Sequence, residues 1–375
     1  MFDRLPDDAT LSALRGRSLL QTRDWNDGDL NALLSVARKF AALDKSGVKV
    51  PFCPQELAYA VFFDNSTRTK SAWAGAAARL GMSPVIVDGS STQVAHGETA
   101  AETGAMLGMN AHAMGIRHDL ILGEGNPFMH DIKRGIDEYL AGTNDSRGVP
   151  VVNLQCDVDH PTQTMADLLW LSEYFPEGIK GKKIGVSWAY SPSYAKPLSV
   201  PQGLITLMTR FGANVTLAHP PGYRLMQTCI DSAIAHSAAT GGTFEIVDNM
   251  DAAFVDADIV YPKSWGPYDL MLEKVAANKA GDKAELASIE HRCLTRNADF
   301  TDWICDERRM ALTRGGDALY MHCLPADIGD EVTPGVMAKH TVNVAREANW
   351  KVYVIMALLA VNKVDGLAGK LENAG

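Results

Sequence analysis

Three hydroxyls, an arginine and a lysine stand together at Ser66, Thr67, Arg68, Thr69 and Lys70. Ahead of them, residues 56–63 read as a buried strand, apolar without interruption after Glu56 as parallel strands are. Behind them, residues 71–80 are rich in good helix formers and stop at Gly81. The polar group therefore sits where a strand ends and a helix begins. Backbone N–H groups and the positive end of the helix dipole point at such a junction. Arg68 adds a planar fork that can hold two oxygens of one anion. The pattern suits a phosphate; the plain alternative is a capped helix whose arginine is a solvated surface charge.

Four further clusters carry candidate chemistry. Asp157, Asp159, His160, Pro161 and Gln163 fall within one short segment. Pro161 suits the first helical position, which puts His160 at the mouth of a helix N-terminus. An imidazole there is disfavoured as a cation and can donate one neutral N–H to a carbonyl oxygen. Gln163 can meet an NH2 group with its carbonyl oxygen; the alternative is a packed, capping histidine. In His322-Cys323-Leu324-Pro325 a proline closes a strand, and Cys323 on its own reads as a small buried residue. Arg117 ends one predicted strand and Arg346 opens the predicted final helix, and either alone would be an ordinary surface charge. Lys263, Ser264 and Trp265 follow another strand. There Lys263 suits a carboxylate and Asp157 or Asp159 an ammonium group, while Trp265 reads equally well as core filling.

Taken in order, Ser-Thr-Arg-Thr, His-Pro-Thr-Gln and His-Cys-Leu-Pro resemble the signatures of the aspartate/ornithine carbamoyltransferase superfamily. With Arg117 and Arg346 the resemblance covers nearly the whole chain. Details of the second half look most like the knotted N-acetylornithine and N-succinylornithine transcarbamylases, and the chain is most similar to their relatives of unassigned acceptor. The resemblance implies that carbamoyl phosphate meets Ser66, Thr67, Arg68, Thr69, Gln93, Arg117, His160, Gln163, Cys323, Leu324 and Arg346. Of these, Arg117, His160, Gln163 and Cys323 take part in catalysis, Cys323 as a pocket residue and not as a nucleophile. It places the acceptor against Asp157, Lys263, Ser264, Trp265 and Leu324. It implies a homotrimer in which the loop bearing Gln93 and His96 reaches a neighbouring subunit's site, and it implies no metal and no organic cofactor. Two departures stand out: Lys70 replaces an arginine, losing a bidentate fork, and the 92–98 loop has no lysine or tryptophan.

The expected reaction moves a carbamoyl group to the amine of a small amino-acid acceptor, as short as 2,3-diaminopropionate, or runs in reverse. The alternatives are an acylated ornithine, ornithine, aspartate or oxamate as acceptor, or a non-catalytic anion-binding relative.

The elements that must position these residues alternate strand and helix, which is the α/β doubly wound pattern. Strands are expected near 84–88, 111–117, 149–154, 183–188, 215–218, 244–247, 259–261 and 318–324. Helices are expected over 27–43, 99–109, 126–140, 161–174, 200–211, 228–239 and 346–363, with 273–302 a surface excursion. This gives two parallel-sheet domains joined by helices. Residues 1–160, completed by a C-terminal helix in 346–375, would bind carbamoyl phosphate, and 161–345 the acceptor. The proline-rich stretch 191–201 is a stiff loop; by resemblance it is the rim of a trefoil knot, which most folds avoid.

Composition agrees with an enzyme of this size. The 375 residues are 46% hydrophobic and 21% charged, with a net charge of −10. That balance fits a globular protein and argues against a nucleic-acid partner. The six cysteines make no Cys-x-x-Cys pair, so neither a disulfide framework nor a zinc site is indicated. The start carries no signal pattern, and the apolar run 352–361 is too short to span a bilayer, so a cytoplasmic protein is expected.

Overall fold

An apolar strand followed by a helix, repeated along a chain, packs well as a parallel sheet with helices covering it. The computed structural model, which describes residues 2–374, contains two such sheets. In the first, β1 (Leu57–Phe62), β2 (Ser83–Asp88), β3 (Ala113–His118) and β4 (Val151–Cys156) run parallel in the order β2-β1-β3-β4. In the second, β5 (Lys183–Ser187), β6 (Asn214–Ala218), β7 (Phe244–Val247), β8 (Ile259–Pro262) and β9 (Leu319–Tyr320) run parallel in the order β7-β6-β5-β8-β9. The chain divides into two compact units. One comprises Met1–Asp119, Glu124–Glu173 and Asn349–Gly375; the other comprises Leu120–Gly123 and Tyr174–Ala348. All but the last residue of the helix Pro161–Tyr174 thus lies with the first unit.

In the first unit the central strands β1 and β3 are mostly buried, and β4, at the edge of the sheet, is buried along its whole length. Trp73, on the helix Arg68–Arg79, is fully buried and donates its indole N–H to the carbonyl of Ala58 in β1, which locks that helix onto the sheet. The helices Ala100–Gly108 and Gly125–Gly142 touch through glycine. A Cβ at Gly104 or at Gly135 would overlap a carbonyl oxygen of the other helix.

Three segments differ from expectation. The expected strand over 318–324 shrinks to Leu319–Tyr320. Its ladder stops because the His322 N–H is taken by the Glu347 carboxylate and Leu324 adopts a φ of 55°. The last long helix, Pro334–Lys363, begins twelve residues before the expected start, so Arg346 lies inside it and does not open it. The 273–302 stretch is a packed pair of helices, Tyr268–Lys279 and Lys283–Asn297, that buries Met271, Ile289 and Cys293.

The second unit carries a polar hub in its interior. Glu331 is 0% exposed and accepts from Lys196 Nζ at 2.6 Å, from the Ser264 N–H at 2.7 Å and from the Asp327 N–H at 2.8 Å. Burial works against its charge, but the neighbouring His322 and Lys196 outweigh that and hold its carboxyl well below the usual range. Lys196 belongs to the 191–201 stretch, which is therefore anchored in the interior by a paired charge. Lys196→Met should destabilise this unit by about 3–5 kcal/mol, because it leaves a buried carboxylate without its cation. Urea unfolding followed by the fluorescence of the buried Trp188 and Trp265 would measure the loss. A change below about 1 kcal/mol would show that the hub does not depend on this pair.

Candidate active site

Parallel pairing puts the carboxyl ends of neighbouring strands on one edge, and loops that follow them gather there. In the first sheet Phe62 pairs with Arg117, and Arg117 with Gln155, so β1, β3 and β4 end side by side. Between β3 and β4 the register shifts between Ile116 and Arg117. Such irregularities re-aim side chains beside functional sites.

After β1 the chain turns into the helix Arg68–Arg79, three residues earlier than expected, so Arg68 is itself the first helical residue. Thr67 makes no side-chain cap; the Ser66 hydroxyl accepts the Thr69 N–H instead, at 3.3 Å. Thr69 is buried, and its hydroxyl oxygen accepts from Lys351 Nζ at 3.3 Å. A lysine ammonium can only donate, so the Thr69 hydroxyl keeps its own proton for another acceptor. Lys70 stands over the Phe62 ring, 5.2 Å from its centroid. One helix N-terminus thus joins Ser66, Thr67, Arg68 and Thr69, with a second buried cation, Lys351, behind it.

After β3, Arg117 donates through Nε to Asp119 Oδ1 at 3.2 Å and through Nη2 to Asp119 Oδ2 at 3.0 Å. The Asp119 N–H donates to Asp64 Oδ2 at 2.9 Å, tying this turn to the loop after β1. Burial pushes the Asp119 carboxyl well up; Arg117 opposes that, and the nearby Asp64 adds to it.

After β4, His160 precedes Pro161, and its carbonyl accepts the N–H groups of Gln163 at 2.9 Å and Thr164 at 3.1 Å, as expected of a helix start. Its ring Nδ1 lies 3.4 Å from the Thr162 hydroxyl. The Gln163 amide nitrogen donates to the buried Asp167 at 2.7 Å. A carboxylate accepts only, so this bond fixes the amide the other way round from its partner and leaves the carbonyl oxygen turned from Asp167.

Both candidate partners for an ammonium group are buried and accept hydrogen bonds from the protein, and Asp159 Oδ1 has no hydrogen-bond partner among the described residues. Asp159 accepts both the N–H and the hydroxyl of Thr22, at 2.8 and 2.9 Å. Burial pushes its carboxyl up to about 6, with those bonds to Thr22 working against the rise. Asp157 is 1% exposed and accepts the Asn126 N–H near the start of the helix Gly125–Gly142, where a carboxylate favours the helix dipole. Gln93 and His96 form an exposed 3-10 turn, Gln93–His96, which with Glu98, Glu102 and Met106 lines a surface pocket of about 550 Å³.

In the second unit the segment after β8 turns inward. Lys263 is buried and donates to the carbonyl of Ser264 at 2.7 Å and to that of Pro197 at 3.4 Å. Ser264 is buried with its hydroxyl unpaired within the protein. Trp265 is fully buried, with its indole N–H on the Tyr223 carbonyl at 2.7 Å, so its ring is core. After β9, His322 accepts the Leu324 N–H at Nδ1, 2.8 Å away, which leaves Nε2 to carry the proton 3.6 Å from Glu331. Burial lowers the His322 pKa, and the neighbouring Glu331 works against that. Cys323 is half-buried, Leu324 precedes a cis proline, and Arg346 is exposed on its helix.

Five residues of these clusters escaped the sequence reading: Asp119, Asp167, Lys196, Glu331 and Lys351. Asp119 stands two residues from Arg117 and Asp167 one helical turn from Gln163, so spacing alone could have found those two. The other three meet their partners across long stretches of chain, and no local signal marks them.

Comparison with known proteins agrees with this geometry. Residues 17–173 match the family described as "Aspartate/ornithine carbamoyltransferase, carbamoyl-P binding domain", and residues 198–362 the one described as "Aspartate/ornithine carbamoyltransferase, Asp/Orn binding domain". YgeW of Escherichia coli (strain K12), whose name places it among the carbamoyltransferases without specifying an acceptor, is 47% identical over 370 residues, covering 96% of this chain and 93% of that one. An N-acetylornithine carbamoyltransferase of Xanthomonas axonopodis pv. citri (strain 306) is 30% identical over 360 residues, covering 92% and 96%. Among solved structures, an N-acetyl-L-ornithine transcarbamylase mutant complexed with carbamyl phosphate and N-succinyl-L-norvaline superposes with a TM-score of 0.75 at 26% identity, covering 92% of this chain and 99% of that one. The ornithine carbamoyltransferase from Pyrococcus furiosus gives 0.74 at 26% identity, covering 93% and 97%. No helix among the described residues is long and apolar enough to cross a membrane. The anion-directed helix start, the arginine and histidine beside it and these matches have one reading: the chain belongs to the aspartate/ornithine carbamoyltransferase family and is a carbamoyltransferase.

Proposed function

We propose that the protein transfers the carbamoyl group of carbamoyl phosphate to the amine of a small amino-acid acceptor that carries a second amine. The first unit binds carbamoyl phosphate and the second the acceptor. The observation that carries the reading is the helix start at Ser66–Thr69, which brings the helix dipole, three hydroxyls and Arg68 together in sequence, with the buried Lys351 bonded to Thr69. Phosphate oxygens are held there and by Arg117. Donors from Thr69, Arg117 and His160 meet the carbonyl oxygen and stabilise the oxyanion of a tetrahedral intermediate. The Gln163 carbonyl oxygen, oriented by Asp167, accepts from the carbamoyl NH2, and the family resemblance assigns Cys323, the Leu324 carbonyl and Arg346 to the same substrate. The uncharged amine attacks the carbonyl carbon, the bond to the phosphate oxygen breaks, and the departing phosphate takes the surplus amine proton. Exclusion of water protects the mixed anhydride while it is bound.

For the acceptor, Lys263 is assigned the carboxylate, with Ser264 beside it, and an acceptor as short as 2,3-diaminopropionate is favoured over ornithine. The unpaired, buried Ser264 hydroxyl supports this, since such a group is costly unless something completes it. The site is completed in a homotrimer by Gln93 and His96 of a neighbouring copy, supported by their exposure on a polar turn beside a surface pocket.

Three outcomes test these points. Arg68→Ala should abolish measurable transfer and weaken carbamoyl phosphate binding, a loss above about 3 kcal/mol of transition-state stabilisation. Unchanged affinity by calorimetry would remove Arg68 from the site. Phosphate release with a panel of amines should rank short diamino acids above ornithine, and Lys263→Met should raise the KM of the acceptor far more than that of carbamoyl phosphate. Equal effects on both substrates would place Lys263 elsewhere. Finally, Arg117→Ala and the double variant Gln93→Ala with His96→Ala, each inactive, should regain roughly a quarter of wild-type activity when reassembled together, the yield of random pairing. Mixed oligomers as inactive as their parents would put the whole site within one chain.

A further inference from the structure

The guanidinium of Arg117 meets a partner that the transfer reaction itself does not call for. Both oxygens of Asp119 lie against its Nε–Nη2 edge, at 3.2 and 3.0 Å, in a fork-on-fork pair. The Asp119 side chain is 0% exposed, and that of Arg117 is 14% exposed. The pair is therefore shielded, and its geometry is held by packing as well as by charge. The Asp119 N–H is anchored in turn on Asp64, which follows β1 and leads into the Ser66–Thr69 helix start. A carboxylate buried to this degree is costly, and burial does push its carboxyl up. A protein spends that free energy where orientation matters. An arginine has five donors; two are used here, and three remain on the Nη1 side and the outer Nη2 hydrogen.

We propose that Asp119 is the positioning residue of Arg117: by occupying the Nε–Nη2 edge it directs the remaining N–H groups at carbamoyl phosphate. The chain has a local reason to need this. Arg117 directly follows a register shift between β3 and β4, an irregularity of the kind that re-aims a side chain. A long arginine there would otherwise lose rotamer entropy on every binding event. With Asp119 in place that ordering is complete before substrate arrives. Asp64 extends the device, because its contact with the Asp119 N–H sets the turn after β3 relative to the hydroxyl-bearing loop after β1.

The proposal rests on the reading that Arg117 grips carbamoyl phosphate, and a double-mutant cycle separates the two. Arg117→Ala, Asp119→Asn, Asp119→Ala and the combination of Arg117→Ala with Asp119→Ala are compared by calorimetric binding of carbamoyl phosphate, by kcat and KM where turnover persists, and by thermal melting. Asp119→Asn is close to isosteric and guards against a variant that fails to fold. In the wild-type background Asp119→Asn and Asp119→Ala should each weaken carbamoyl phosphate binding at least tenfold, with the acceptor KM within twofold. In the Arg117→Ala background Asp119→Ala should add less than a twofold further loss, since there is no longer a guanidinium to aim. An equal loss in both backgrounds would make Asp119 a structural residue and overturn the proposal. Wild-type binding by Asp119→Asn, with Arg117→Ala defective, would also overturn it while sparing the role of Arg117. Wild-type binding by Arg117→Ala would overturn both.

Discussion

Parallel strand pairing is the constraint on which the carbamoyl phosphate half of this protein depends. A parallel ladder cannot be closed by a tight turn, so each strand must leave the sheet at its carboxyl end and return through a helix. Three consecutive exits, after β1, β3 and β4, therefore fall on one edge. Each exit contributes a different type of group. The first supplies hydroxyls, an arginine and backbone N–H groups at a helix start; the second a clamped arginine; the third a histidine at the next helix start. The helix dipoles at two of these exits have the same sign, and that sign favours an anion or a developing oxyanion. The electrostatics follow from topology before any side chain is chosen.

Buried charge serves different ends in the two units. In the first, Asp119, Asp167 and Lys351 each touch a residue assigned to substrate: Arg117, Gln163 and Thr69. Each of these bonds occupies one side of its partner and leaves the other atoms for the proposed substrate contacts. In the second, Glu331 gathers a lysine from one loop and backbone N–H groups from two others, so that three irregular segments share one anchor. Irregular backbone inside a protein must have its polar groups satisfied, and a single ionised carboxylate with several acceptor positions does this economically. Glu347 repeats the arrangement on a smaller scale by taking the His322 N–H, which ends the β9 ladder.

The amino-acid sequence by itself determined the class of fold, the positions of most strands and helices, and the three motifs that name the reaction. These are local properties. The run before Ser66 is apolar without interruption, Pro161 suits only a first helical turn, and the 161–174 and 244–247 elements appear where the pattern puts them. The resemblance to carbamoyltransferases rests on three short motifs, each made of residues adjacent in sequence.

What only the tertiary structure decided are the partners of charged groups and the fate of side chains whose type allows two roles. Trp265 had a polar handle and a large apolar ring, and the fold spent both on the core. Asp159 had the charge to meet an ammonium group, and one of its oxygens, Oδ2, is taken by Thr22, far away in the chain. Lys196 lies in a stretch whose prolines mark only a stiff loop, and it is the cation of a buried pair because Glu331 arrives from more than a hundred residues downstream. Hydrophobic periodicity reports which face of an element is buried, but it carries no information about which distant group will be opposite. The energy of a buried charge is set by that distant group, so it becomes legible only when the chain has folded.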